Sequence, residues 1–333
     1  MLSFGFILAI LIEILLPVAL GIWFARKFGA SWKIFGVGVL TFIASQVVHF
    51  PMLYGLNLLM PGIAASLPMA AVAVINAVLL GLAAGICEET ARWVGFKLLK
   101  ARAKSMNAAL MAGAGHGGVE SIIIGLMVLT NFTIFTIVSS GRGNQFGLPM
   151  ELQMSMAQQM FAYISMPWWM PLIGAMERVF AISLHLALSF MVWQAYKNRS
   201  WGWFIAAVLW HAFIDGAAVM MSTYKFNLWV IEGVIGVVAA ANIVFLVWFV
   251  RRQLEVDAED EEETEPMEGE VVKDASLAIE AVAPEIKVKK TRPAAKKKAA
   301  TSSSTDQTER NLSLGSAEEA SSLFDDDGEP EKK

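Results

Sequence analysis

The stretch "GICEETARWVGF", residues 85–96, places Glu88, Glu89 and Arg92 at the end of an apolar run that begins near Met69. A charge at a bilayer centre costs roughly 2.5–3.5 kcal/mol on insertion scales, so such a cluster needs partners or a task. Partners are available in four histidines, His49, His116, His185 and His211, each within another apolar run. A carboxylate beside neutral imidazoles in a low-dielectric cavity is suited to activating water. Burial and a neighbouring guanidinium act on the carboxyl in opposite senses, and together they poise a general base. One Glu then accepts the proton while the other holds Arg92. A second imidazole with an acidic partner stabilises the oxyanion of a tetrahedral intermediate. That is acyl-transfer chemistry, and a peptide bond in or beside the membrane is its natural substrate.

Spacing brings these groups to one level. Glu88 lies 12 residues before Lys100, His116 12 after Lys104, His185 12 before Lys197, and His211 12 after Arg199. At about 1.5 Å of helical rise per residue, each sits about 18 Å inward of its basic anchor. Partners follow on the same helix faces: Glu120 four residues after His116, and Asp215 four after His211. Glu177 precedes His185 by eight residues, with Arg178 beside it as a counter-charge. Gly113, Gly115, Gly117 and Gly118 surround His116 and allow close approach of a neighbouring helix or a substrate. His49, 16 residues in from Lys33, falls outside the plane. Glu13 and Glu232 carry no motif and read as packing or interface residues. Trp168 and Trp169 read as interfacial anchors.

The elements that must position these residues are membrane helices. With 56% hydrophobic residues and a mean hydropathy of +0.54, the chain is too apolar for a soluble globule. Apolar spans fall near 4–25, 34–54, 68–98, 106–138, 168–196, 201–221 and 228–250, the third and fourth longer than a crossing requires. The first run lacks a basic start and reads as a retained helix. Basic residues cluster at alternate ends: Arg26, Lys27 and Lys33; Lys97, Lys100, Arg102 and Lys104; Lys197 and Arg199; Arg251 and Arg252. The positive-inside rule then places the N-terminus outside and the C-terminus in the cytoplasm. The outer loop at 139–166 contains a Met-rich amphipathic segment suited to the membrane surface.

Expected, therefore, is an all-α, polytopic membrane bundle of about seven transmembrane helices, residues 1–252, with a charged cytoplasmic tail, residues 253–333. Residues 1–250 hold 13 basic and 8 acidic residues, a net of +5, and residues 251–333 hold 13 and 22, a net of −9. The tail, with "EVDAEDEEETEPMEGE" and "KVKKTRPAAKKKAATSSST", has too little apolar surface to fold and reads as disordered. One cysteine, Cys87, excludes an intramolecular disulfide and a cysteine-based metal cluster. The expected partners are the lipid bilayer, in a bacterial plasma membrane, and a membrane-protein or peptide substrate; no nucleic acid is expected.

"EETAR", "GAGHGGVESI", "ERVFAISLHLALS" and "WHAFIDG", in this order on separate spans, resemble the YhfC family of intramembrane peptidases. They are also similar to the PrsW proteases and, more distantly, to the CAAX-processing and bacteriocin-processing membrane proteases. The resemblance covers about residues 1–250 and implies an intramembrane endopeptidase. It assigns water activation to Glu88 with support from Glu89 and Arg92, matches His185 to the central family histidine, and gives His211 and Asp215 the oxyanion-stabilising role. The chain departs from the CAAX type in having EExxR instead of EExxxR, and one extra residue between Phe180 and His185. His116 stands where PrsW-like proteins tend to carry Phe, an additional imidazole. The expected catalytic set is Glu88, Glu89, Arg92, His116, Glu120, His185, His211 and Asp215, supported by Glu177 and Arg178. A metal-free glutamic mechanism without cofactor is the first expectation. The alternative is zinc held by His116, His185, His211 and Glu88, although no HExxH is present. A non-catalytic scaffold or a proton-coupled transporter would also bury such groups, but no inverted repeat favours transport.

Overall fold

Long apolar runs without water must satisfy their own backbone groups, and helices do so within a single segment. The computed structural model describes residues 2–103 and 105–264, the last of these, 253–264, by backbone alone. Eight α-helices follow in order: α1 Leu2–Phe28, α2 Trp32–Ala64, α3 Met69–Leu99, α4 Met106–Ser139, α5 Met150–Ser165, α6 Met170–Lys197, α7 Trp201–Thr223 and α8 Leu228–Thr264. Seven of the described helices, all but α5, are long and apolar enough to cross a membrane. The protein is an integral membrane protein with the expected all-α architecture.

Boundaries differ from expectation in two places. Helix α2 does not end near residue 54 but runs through Pro51 and Pro61 to Ala64. Prolines are tolerated in membrane helices, where neighbouring groups take up the freed carbonyls. Helix α8 passes the expected start of the tail at residue 253 and reaches Thr264. Disorder was expected there and in the rest of the tail; residues 265–333 lie outside the described residues. The Met-rich loop segment is the 16-residue helix α5, preceded by a 3₁₀ turn at Gly143–Phe146.

Helix α6 is the centre of the bundle. Of its most apolar window, 72% is buried, against 11–39% for the other spans, which turn much of their surface to lipid. It packs against α1, α3, α4, α7 and α8, while α3 pairs closely with α7 and α4 with both α1 and α2. Small residues set the α3–α7 approach: a Cβ on Gly85 would lie 2.7 Å from the Val208 carbonyl oxygen. The tight apolar core, including Phe24, Phe96, Met111, Leu188, Phe190 and Trp193, occupies the half of the bundle nearer the basic helix ends. At those ends Lys27, Lys97 and Arg252 lie over Trp23, Trp93 and Trp248, with Lys97 only 3.4 Å from the ring centre. Cation and indole together suit a cytoplasmic membrane interface.

This polarity of the bundle is directly testable. A reporter fused after Arg252 should be cytoplasmic, and a tag inserted at Asn144 should be accessible from outside. Cytoplasmic labelling at residue 144 would overturn the orientation.

Candidate functional site

Just above the tight core, four helices bring their ionisable groups together. Helix α3 supplies Glu88, Glu89 and Arg92; α4 supplies His116 and Glu120; α6 supplies His185; α7 supplies His211 and Asp215. Glu88, Glu89, Arg92, His116, His185 and His211 are all buried. The His116 and His185 ring centres are 5.3 Å apart, and those of His185 and His211 are 6.0 Å apart. The depth shared in sequence is therefore one compact cluster in space. Helical spacing of four and three residues carries Arg92 back onto both carboxylates: Nη2 lies 3.5 Å from Glu88 Oε2, and Nη1 donates to Glu89 Oε1.

Hydrogen-bond partners decide which histidine nitrogens hold protons. The Thr41 hydroxyl donates to the Gly38 carbonyl at 2.7 Å, so its oxygen accepts from His116 Nδ1–H at 2.9 Å. In the neutral ring, the lone pair on His116 Nε2 then faces Glu88 Oε2 at 3.1 Å. Arg92 has no acceptor, so its Nη2 donates to His185 Nδ1 at 2.5 Å. His185 Nε2–H donates to Glu120 Oε2, also at 2.5 Å. His211 Nδ1–H donates to Glu89 Oε1 at 2.6 Å, which turns Nε2 toward Asp215 Oδ2 at 3.5 Å and Glu88 Oε2 at 4.0 Å. Acceptors thus point at acceptors around Glu88, an arrangement stabilised by a shared proton or a cation.

A metal ion fits this donor set. One ligand atom each from Glu88, His116 and His185 lies within 4.8 Å of the others. Two imidazoles and a carboxylate suit zinc. Thr41 and Glu120 hold the remaining ring N–H groups of His116 and His185, as outer partners of metal-binding histidines do. His211, the fourth member of the expected zinc set, stands beside this trio with Nε2 on the Glu88 side. At His185 Nδ1 the guanidinium of Arg92 is the cation in contact.

Glu177 and Arg178, expected as support, are joined to each other and to the cluster. Arg178 donates to Glu177 at 2.6 Å and to Glu120 at 2.8 Å, so it anchors the carboxylate that orients His185. Contributions from α2 were missed in the sequence: Thr41, and Gln46, whose amide bridges His49 Nδ1 at 3.2 Å and Glu88 Oε1 at 3.4 Å. The signal was present, because Thr41, Ser45 and His49 recur every four residues on one face of an apolar run. His49 therefore touches the site's edge through Gln46.

A cavity of about 140 Å³ opens beside the cluster, lined by Glu88, His185, His211 and Asp215 on one side and by Phe180 and Ile235 on the other. It gives a substrate backbone and water a place next to the imidazoles. The fit is close at Gly117, where an added Cβ would lie 2.7–2.9 Å from atoms of the His185 ring. Gly117→Ala should displace that ring and cost about 1–3 kcal/mol of stability through overpacking. Thermal denaturation should show this modest loss in a protein that still inserts.

The family model described as "YhfC intramembrane metalloprotease" matches residues 12–235, which include every residue of the cluster. The "Uncharacterized membrane protein YhfC" of Bacillus subtilis (strain 168) is 28% identical over 258 residues, covering 71% of this chain and 92% of that protein. No solved structure matches. With its cluster and most of its length inside the match, the chain belongs to the YhfC intramembrane metalloprotease family.

Proposed function

We propose that the protein is a metal-dependent intramembrane endopeptidase that hydrolyses peptide bonds of membrane-associated substrates. The observation that carries this reading is the convergence of Glu88, His116 and His185, two of them with their second ring nitrogen already held by Thr41 and Glu120. The family description supports a metal over the metal-free mechanism first expected from the residues. Glu88, His116 through Nε2 and His185 through Nδ1 would hold the ion, with Arg92 giving up its contact to Nδ1 and keeping those to Glu88 and Glu89. A bound zinc ion supplies Lewis acidity and lowers the pKa of a water molecule.

The chain's own groups supply proton handling and orientation. Glu89 fixes the Nδ1 proton of His211 and leaves Nε2 facing the cavity, next to Asp215. His211 and Asp215 are thus the pair that accepts a proton from water and returns it to the leaving amine. Protonated at Nε2, His211 also offers a donor to the developing oxyanion. Arg92 donates to Glu89, and Arg178 donates to Glu120. Apolar walls from Phe180, Leu184 and Val238 limit access of bulk water.

A second, metal-free reading is favoured by one contact, the Arg92 donation to His185 Nδ1, which gives that nitrogen a cation without a metal. Glu88 would then be the base. The two readings separate on the purified full-length protein. The metal reading expects about one equivalent of zinc by elemental analysis. It also expects loss of peptide cleavage on chelation, and recovery when zinc is restored. Full activity of metal-free protein would overturn it in favour of the glutamic mechanism.

Glu88→Gln tests the carboxylate in either case. It keeps size and most hydrogen bonds, and turnover should fall about 10²–10⁴-fold while the protein stays folded. Combining it with His211→Ala should cost much less than the product of the two losses, because both act in one step. Near-normal turnover of a verified substrate by the Glu88→Gln and Glu89→Gln variants would make the carboxylates structural and remove the peptidase reading.

A further inference from the structure

The half of the bundle away from the basic ends holds two buried glutamates, Glu13 and Glu232, that hydrolysis does not use. Glu13 of α1, with Glu177 and Arg178 of α6, lines a cavity of about 300 Å³ whose other walls include Phe6, Tyr163 and Met166. Glu13 is only 2% exposed, yet its Oε2 is buried without a hydrogen-bond partner. Its carboxylate lies against Gly125, where a Cβ would come within 3.3 Å of Oε2. The terminal nitrogens of Arg178 are already engaged by Glu120 and Glu177, at 2.8 and 2.6 Å. On α8, Glu232 is 6% exposed and also has an unpartnered buried Oε2. Glu120 and Glu177 thus have partners in His185 and Arg178, whereas Glu13 and Glu232 each keep a buried oxygen without one.

A buried carboxyl oxygen without a partner is stabilised by a hydrogen-bond donor, most strongly by a charged one. The geometry speaks against a metal ion here: among the described residues, ligand atoms converge as a metal requires only at Glu88, His116 and His185. The walls instead fit an aliphatic stem with a charged head. Phe6 and Tyr163 stack with ring centres 6.1 Å apart and offer aromatic surface to such a group. Glu177 and Arg178 line both this cavity and the one beside His185 and His211. The two cavities thus border one another at Glu177 and Arg178.

We propose that the cavity formed by Glu13, Glu177, Phe6 and Tyr163 is a substrate subsite that takes the basic side chain, lysine or arginine, of the peptide bound at the cluster. This rests on the peptidase reading, and the subsite makes the substrate class an apolar segment with a basic residue toward its outer end.

The test uses full-length protein in phosphatidylcholine vesicles and three apolar photoreactive peptides, with cleavage followed in parallel. One is N-acetylated with a lysine toward its outer end, the second has norleucine there, and the third has norleucine and a free α-amine. The lysine peptide should label the protein about tenfold more than the norleucine peptide, the scale of a charge-assisted hydrogen bond. Glu13→Gln should abolish that preference while helicity and elution stay unchanged, and Glu177→Gln serves in the same way should Glu13→Gln fail to fold. Equal labelling by all peptides, labelling by none, or a lysine preference that survives both substitutions would overturn the subsite. Preference for the free α-amine peptide would overturn the side-chain assignment. Cleavage without any lysine preference would remove the subsite and leave the peptidase, whereas a lysine preference without cleavage would keep the subsite and count against the peptidase.

Discussion

Arg92 is a guanidinium buried in a membrane bundle, and much of the site's geometry follows from satisfying it. It reaches both carboxylates of its own helix and donates to His185 on α6, so a single side chain ties α3 to the central helix. Removing one partner from such a network would leave an uncompensated charge in a low dielectric, which is costly. Glu89 in turn receives His211 from α7, and Glu88 faces His116 from α4. Ionic pairing thus fixes the relative rotation of four helices that apolar packing alone would leave free, because lipid tails are as apolar as the helices they contact.

Close approach makes this pairing reachable. Helix α4 carries glycines on either side of His116, and α3 carries Gly81 and Gly85 toward α7. Where side chains are absent, backbones come close enough for short ionisable side chains to meet across the interface. The tight aromatic and aliphatic core near the basic ends holds the helices below the site. Above it the packing opens into cavities that touch Glu13, Glu177, Arg178 and Asp215. The same bundle is therefore tightly packed on one side of the imidazoles and open on the other.

Hydrogen bonds add a directional layer that charge alone lacks. Thr41 and Glu120 each hold one ring nitrogen, and this selects which lone pair of His116 and His185 faces the centre. Arg178 is one step further out, holding Glu120. A metal-binding or proton-transferring site needs such outer partners, because a histidine free to rotate presents either nitrogen.

By itself the sequence determined the number and order of the spans, the basic ends that orient them, and the common depth of Glu88, His116, His185 and His211. Each is a property of one helix at a time, read from apolar length, charge position and a fixed rise per residue. The ends of α2 and α8 were not legible, because prolines and charges that would stop a helix elsewhere are carried here within longer helices. Only the tertiary structure decided which pairs form: Glu89 with His211, Glu88 with His116, and Arg92 with His185. It also brought in Thr41 and Gln46, whose polar face showed in the sequence without a partner. Depth is set by distance along a helix, but partner choice depends on the rotation and spacing of several helices at once, and those come from contacts between residues far apart in the chain.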